Sequence, residues 1–425
     1  MLDIQLVRDH PELIKKACED KQLDPSVVNT LIETDKKRRE QQQLVDELRQ
    51  QANANADKIK QAVAAGGKPD PTDIEQGKAI KQQLKQAEPQ LAELEQGYHQ
   101  LMMRVPNPPA ADVPVGKDET GNVVITTVGQ IPQFEFPVKS HQEIMENLGW
   151  LDTKRAVKIA GFRAYFLKGE GLLLEQALLR YALKLLVEEG FTPMSAPSLV
   201  NSEAMWGTGF LPWGKEDHYR TQDDQYLTGT AEVPLTSYYM NEVLTEKELP
   251  IKMCGLSPCF RREIGTHGKD TQGIVRVHQF NKIEQVVLTI ADEEETRNWH
   301  EKIRGFSEKL LQNLGLPYHV LLMCTGDMGA GQRKKYDLET WFPAQKKYRE
   351  THSASYFNDF QARRLNIRYQ AADGTLKYVY TLNNTMAATP RLLAACVENW
   401  QTADGSIQIP EFLKNLLWVK SFSWY

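Results

Sequence analysis

Residues 259–284 read CFRREIGTHGKDTQGIVRVHQFNKIE, a basic, glycine-studded loop between two strand-like runs. If the second run is a strand, its period of two puts Arg276, His278, Phe280, Lys282 and Glu284 on one face. Val275, Val277, Gln279, Asn281 and Ile283 take the other. On the first run Arg261 and Glu263 are two apart and share a face. Paired, the two runs present arginines able to fork onto a phosphate. They also present an aromatic ring able to stack on a purine and carboxylates able to accept from an exocyclic amine. That is nucleotide chemistry; the plain alternative is a surface hairpin with a salt-bridged face. The loop Gly265–Gly273 has the character of a lid or an RNA contact.

The remaining chain must position that face. With 425 residues and 41% hydrophobic content, two or three domains are expected. The formal net charge of −5 excludes a global pull toward nucleic acid or anionic membrane, so any polyanion must meet a local basic patch. The five cysteines have no repeated spacing. Cys254 and Cys259 lack a matching His or Cys pair, which argues against zinc and for a reduced, cytoplasmic protein. MLDIQLVRDHPELIKK has no apolar core of a signal peptide, and no run is long enough to span a membrane.

The first hundred residues are rich in Gln, Lys, Glu and Ala. Ile80, Leu84, Ala87, Leu91, Leu94, Tyr98 and Leu101 alternate steps of four and three, a heptad seam. Val45, Leu48, Ala52 and Ile59 keep a weaker version of the rhythm, with Asn55 on the seam. GGKPDP (66–71) separates the two segments, so an antiparallel helical hairpin over 1–108 is predicted, with Pro89 expected to kink its second helix. On pattern alone this arm is a dimerisation coil, a spacer or an RNA-gripping element, and KKRR at 36–39 does not choose between them. PNPP (106–109) ends it. Residues 109–425 carry a strong amphipathic helix at 172–190. They also carry strand-like runs at FTPMSAPSLV, VRVHQFNKIEQVVL, YHVLLMCTG, KKYDLETWFP, LNIRYQ and KYVYTLNN. Strands adjacent in sequence without regular crossover helices predict an α+β domain on a mostly antiparallel sheet, not a doubly wound fold. GDMGAG (326–331) lacks the Lys-Ser/Thr of a phosphate-binding loop.

FRRE, a loop and HQFNKIE resemble motif 2 of class II aminoacyl-tRNA synthetases, and more narrowly of the seryl-tRNA synthetase family. GFTPMSAPSLV (190–200) resembles motif 1, with Pro197 at the family's proline, and TLNNTMAATPRLLAACVENWQ (381–401) resembles motif 3. TAEVPL (230–235) resembles the serine-binding loop, and residues 334–369 the signature catalytic strands. The order and spacing of these motifs, with the arm in front, make the resemblance specific over nearly the full length.

The resemblance implies activation of L-serine by ATP to seryl-adenylate, then transfer to the 3′ end of serine tRNA, with selenocysteine tRNA as a possible second acceptor. It implies Arg261, Glu350 and Arg391 as catalytic residues. Serine would be held by Thr230, Ala231, Glu232, Arg261, Glu284, Asn383 and Thr385. ATP would be held by Arg261, Arg262, Glu263, Val277, His278, Gln279 and Phe280, and by Glu350, Thr351, His352, Ser353 and Arg391. Glu350 and Ser353 would bind Mg²⁺, a hard ion suited to oxygen ligands and phosphates. A homodimer through motif 1 is implied, with the arm gripping the long variable arm of the tRNA. Motif 3 departs from the common LNGSGLAVGR: Thr385 replaces a serine, Asn384 and Met386 replace glycines, and Pro390 replaces another. Two further readings share these motifs, a paralogue loading a non-tRNA acceptor and an inactive RNA-binding homologue.

Overall fold

The computed structural model describes residues 1–264 and 273–417. Residues 265–272 of the expected loop and the tail WVKSFSWY (418–425) lie outside the described residues. The chain forms two compact units, Met1–Glu19 with Leu23–Pro106, and Asp20–Gln22 with Asn107–Tyr425.

The first unit is built on two long helices, α1 (Ser26–Ala64) and α2 (Pro71–Met102). Asp70 caps α2, accepting from Thr72 N at 2.8 Å, and Pro71 occupies the first helical position, where a missing N–H costs nothing. Val45, Leu48, Ile80, Ala87 and Leu91 are buried along the seam, with Ala52 and Leu84 packed beside them. Asn55 is also buried and donates to the Asp73 carbonyl at 2.8 Å. A side chain at Gly77 would meet that amide, since an added Cβ would lie 2.8 Å from Asn55 Nδ2. α2 runs through Pro89 as one continuous helix, and Gln41 of α1 donates to the Ala87 carbonyl at 3.0 Å. Half of KKRR is structural: Arg38 and Arg39, with Arg8, surround the buried Asp35. Burial alone would raise that carboxyl, but the arginine contacts outweigh it and hold it below the usual range.

The second unit centres on an eight-stranded sheet. Its strands are β1 (Val123–Val128), β2 (Thr192–Ser195), β3 (Ile251–Phe260), β4 (Gln279–Thr289), β5 (Tyr318–Leu322), β6 (Lys334–Phe342), β7 (Lys347–Asn358) and β8 (Tyr380–Ala388). Their spatial order is β1-β5-β6-β7-β8-β4-β3-β2. Every pairing is antiparallel except β2 with β3. Three helices, α3 (Glu170–Glu188), α4 (Glu293–Asn313) and α5 (Arg391–Asn399), contribute to the core. Ile283, Val287, Leu338, Tyr356 and Met386 pack there with Leu178, Ile303, Leu310 and Leu393. Each such side chain contributes about 1.5–3 kcal/mol by leaving water. The polar residues of the site use the other face of the sheet.

Three sequence expectations change. The hairpin strands end sooner than expected, at Phe260 and Gln279, so residues 261–264 and 273–278 lie outside the strands. Glu263 therefore does not share a strand face with Arg261; its φ of 55° puts it in the left-handed region. LNIRYQ does not join the main sheet. Arg368–Gln370 pairs with Leu376–Tyr378 and Val243–Thr245 in a separate three-stranded sheet. Among the described residues no helix is long and apolar enough to cross a membrane, and the five cysteines are buried with none in a disulfide.

Candidate active site

Alternation along β4 holds where the strand is regular, so Phe280, Lys282 and Glu284 share the site face while Ile283, Gln285 and Val287 face the helices. β8 behaves likewise. Asn384 donates to Ser307 Oγ of α4 at 2.8 Å, while Asn383 and Thr385 turn to the site. The two unusual motif 3 residues, Asn384 and Met386, thus fill the helix side, where Gln285 and Ser307 contact them.

The segment carrying Thr230 and Glu232 presses onto β3 because Gly255 has no side chain. A Cβ there would lie 2.9 Å from the Leu235 side chain and 3.0 Å from the Ala231 Cβ. Lys282 Nζ donates to Thr230 Oγ1 at 2.7 Å and forms an ion pair with Glu284, all buried. Thr385 Oγ1 lies 3.5 Å from Glu284 Oε2. Gln361 donates to Glu232 Oε1 at 2.9 Å and accepts from Thr381. Burial, then the charge of Glu284, pushes the Glu232 carboxyl up to about 7, against Gln361 and Lys282. The buried Asn383 amide lies beside the Glu232 carboxylate and helps to lower its pKa, but makes no well-aligned hydrogen bond among the described residues. Hydroxyls, carboxylates and an amide therefore gather in one buried polar cluster, whose Lys282 and Thr385 reach a neighbouring cleft.

Beside it lies a cleft lined by Arg261, Glu263, Val277, Phe280, Glu350 and Arg391. The Arg261 guanidinium lies 5.2 Å from the Phe280 ring centre, a cation–π contact. Arg261 N donates to the His278 carbonyl at 3.0 Å, which fixes its backbone beyond the end of β3. The Glu263 carboxylate reaches the cleft despite its backbone and pairs with Arg276 at 2.6 Å. Arg391, first residue of α5, donates from Nη1 to the Glu350 carboxylate and carbonyl at 3.0 Å each, and from Nε to the Val275 carbonyl. Partial burial would raise the Glu350 carboxyl, but Arg391, Lys335 and Arg261 hold it below the usual carboxylate range.

Glu350 and Ser353 are three apart and would oppose each other on a regular strand. A register shift between β6 and β7 changes this. Glu350 pairs with Glu339 and Ser353 with Asp337, two residues apart on β6, so both face the site. Thr351, at the shift, borders the cleft but bonds Thr340 at 2.7 Å. His352 pairs with Leu338 and turns to the core. Its Nε2 donates to the Met386 carbonyl and its Nδ1 accepts from Thr351, and burial lowers its pKa to about 4.

Not every expected nucleotide contact gathers here. The His278 and Gln279 side chains line an adjoining apolar hollow with Tyr165 and Phe166. Arg262 turns to another cleft, donating to the Glu216 carbonyl. Sequence reasoning missed Lys282 as the link between Thr230 and Glu284, although its place two residues before Glu284 was the available signal. Gln361, far away in sequence and on a short helix, gave none.

The description "tRNA synthetase class II core domain (G, H, P, S and T)" matches residues 216–400, and "Seryl-tRNA synthetase N-terminal domain" matches residues 1–109. The sheet is that of a class II aminoacyl-tRNA synthetase core. The serine–tRNA ligase of Deinococcus radiodurans is 44% identical over 418 residues, 98% of this chain and 97% of that one. The crystal structure of seryl-tRNA synthetase from Pyrococcus horikoshii complexed with ATP is 39% identical, with a TM-score of 0.90 over 98% of both chains. That of the cytoplasmic serine–tRNA ligase from Naegleria fowleri with AMP is 31% identical, with a TM-score of 0.85 over 98% of this chain and 97% of that one. The chain belongs to the seryl-tRNA synthetase family.

Proposed function

We infer that the chain is an ATP-dependent serine–tRNA ligase that forms seryl-adenylate in this cleft and the polar cluster beside it and esterifies serine tRNA. One observation carries the reading. Arg261 lines a nucleotide-suited cleft with Phe280 and Arg391, and Lys282 and Thr385 join that cleft to a buried polar cluster with Thr230, Glu232, Glu284 and Asn383.

The serine carboxylate attacks the α-phosphorus and pyrophosphate leaves. The nucleophile is already an anion, so no general base is required, and the residues act by positioning and charge neutralisation. Arg261 meets the charge developing at the α-phosphate. Phe280 stacks on adenine, with Val277 beside it, and Glu263 accepts from the adenine amine. Arg391 leaves Glu350 for the far phosphate. Glu232 and Thr230 receive the substrate ammonium, and Glu284 and Thr385 its hydroxyl. In the second step a terminal ribose hydroxyl attacks the acyl carbon and AMP leaves.

The site fits magnesium. The β7 shift puts the Glu350 carboxylate and Ser353 hydroxyl on one face. Substrate phosphates would supply the ion's remaining oxygen ligands. Bound there by Glu350 and Ser353, Mg²⁺ would neutralise phosphate charge.

Self-association as a two-fold dimer is supported by the apolar surface just ahead of α3, where Val157, Ile159, Phe162 and Phe166 are exposed. The first unit serves as the tRNA arm: its seam residues hold the helices together, leaving Lys58, Lys60 and Lys68 for phosphates. The cytoplasm, where tRNA is charged, is the expected location.

The test is charging of purified serine tRNA with labelled serine, ATP and Mg²⁺. An acid-stable, base-labile seryl ester on the RNA is expected. Adenylate formation without ester on any tRNA would favour the non-tRNA acceptor.

A further inference from the structure

Glu175 of α3 is a buried carboxyl that the reaction does not use. Its neighbours along the helix, Leu174, Ala177 and Leu178, are apolar core residues. A carboxyl taken out of water in such company is costly unless hydrogen bonds meet it. Burial raises the Glu175 carboxyl, against hydrogen bonds from Thr389, Asn281 and Gln176. Two of those three partners belong to segments that line the nucleotide cleft.

Thr389 is fully buried, and its hydroxyl donates to Glu175 Oε1 at 2.7 Å. Its N–H donates to the Asn281 carbonyl at 2.9 Å, with the hydroxyl oxygen 3.0 Å from the same carbonyl. The shorter contact makes Glu175 the hydroxyl's acceptor. Asn281 sits on β4 between Phe280 and Lys282. Thr389 follows the end of β8 and stands two residues before Arg391, with Pro390 opening α5. Thr389, Pro390 and Arg391 border the nucleotide cleft together with Phe280. One carboxyl on α3 therefore fastens the β8–α5 junction to the strand that carries Phe280. The Arg391 side chain is held on the cleft side, by Glu350 and the Val275 carbonyl, and it must give up Glu350 to reach a phosphate. Its backbone then needs an anchor that does not let go.

We propose that Glu175 is a positioning residue for the nucleotide: through the Thr389 hydroxyl it fixes the backbone that aims Arg391 and Phe280 while Arg391 exchanges Glu350 for the far phosphate. The proposal rests on the ligase reading above. Glu175 itself touches no substrate. Serine is held by other contacts, among them Thr230, Glu232 and Glu284, which hydrogen-bond through Lys282 and Gln361 rather than through Thr389. The two substrates should therefore respond differently to its loss.

The test uses the full chain and serine-dependent ATP–pyrophosphate exchange, in the parent, Glu175→Leu, Thr389→Val, Thr389→Ser and the double variant Glu175→Leu/Thr389→Val. KM for ATP should rise at least about tenfold in Glu175→Leu and in Thr389→Val, the scale of one lost hydrogen bond to a charged group. KM for serine should stay within about twofold in both. The double variant should be no worse than the poorer single one, because the two side chains form one contact. Thr389→Ser, which keeps the hydroxyl, should recover most of the loss. A merely structural role would lower the folded fraction and leave both KM values at the parental level, and that result overturns the proposal. Equal rises for ATP and serine also overturn it, as do losses that multiply in the double variant. If Glu175→Leu does not fold, Thr389→Val against Thr389→Ser decides by the same KM for ATP. No serine-dependent exchange by the parent overturns the ligase reading, and the proposal with it.

Discussion

Lys282 Nζ lies 2.7 Å from Thr230 Oγ1, so one buried ammonium on β4 fixes the loop that carries Glu232 while also pairing with Glu284. Removing it leaves a buried carboxylate without its partner. Lys282→Met should therefore destabilise the fold by about 3–5 kcal/mol in urea unfolding. In the folded fraction, KM for serine should rise far more than KM for ATP. Unchanged stability would show that Glu284 has another partner.

Glu232 gives a pH dependence. Its carboxyl is raised to about 7 by burial and by Glu284. The sign for stability follows from the raised value: its contribution is complete below the ordinary glutamate range and is lost as pH rises through about 7. Substrate binding has the opposite sign, because an ammonium prefers the ionised form. KM for serine in exchange assays should fall as pH rises from 6 to 8, and Glu232→Gln should flatten that profile. A flat profile in the parent would remove Glu232 from the ammonium.

The Arg261 guanidinium sits where charge develops, over Phe280 and near Glu350. Arg261→Ala should lower the exchange rate by about 2.7–4 kcal/mol, or 10²–10³-fold, with a smaller effect on serine binding measured calorimetrically. Exchange at the parental rate would place the α-phosphate elsewhere.

The first unit predicts a different separation. Replacing Lys58, Lys60 and Lys68 by alanine should leave exchange intact and weaken tRNA charging. The salt slope should fall by about one for each phosphate that is no longer neutralised. If charging is unaffected, those lysines are only a solvated face.

Much of this architecture was legible in the sequence, for a physical reason. The arm followed from its heptad steps, and Phe280, Lys282 and Glu284 fell on one face because β4 keeps an unbroken register with β3 there. What escaped depends on partners distant in sequence. The shift that brings Ser353 beside Glu350 exists only in the pairing of β6 with β7. The capture of Arg262 by Glu216 depends on a short helical turn 46 residues earlier. α4 was missed because its buried stripe includes Thr296, His300 and Ser307. These are core residues only because Asp292, Ala354 and Thr385 accept their hydrogen bonds.

Amino-acid choice tests the central claim most directly. Thr385 and Glu284 meet at 3.5 Å in a buried polar cluster, where a substrate hydroxyl would bond both and a methyl group would shut their polar atoms away from water without a bond in return. ATP–pyrophosphate exchange should be measured for the parent protein with serine, alanine and threonine. Serine should exceed alanine by about 10⁴ in kcat/KM, and Thr385→Val should erode that ratio. Equal activation of alanine and serine by the parent would contradict the account.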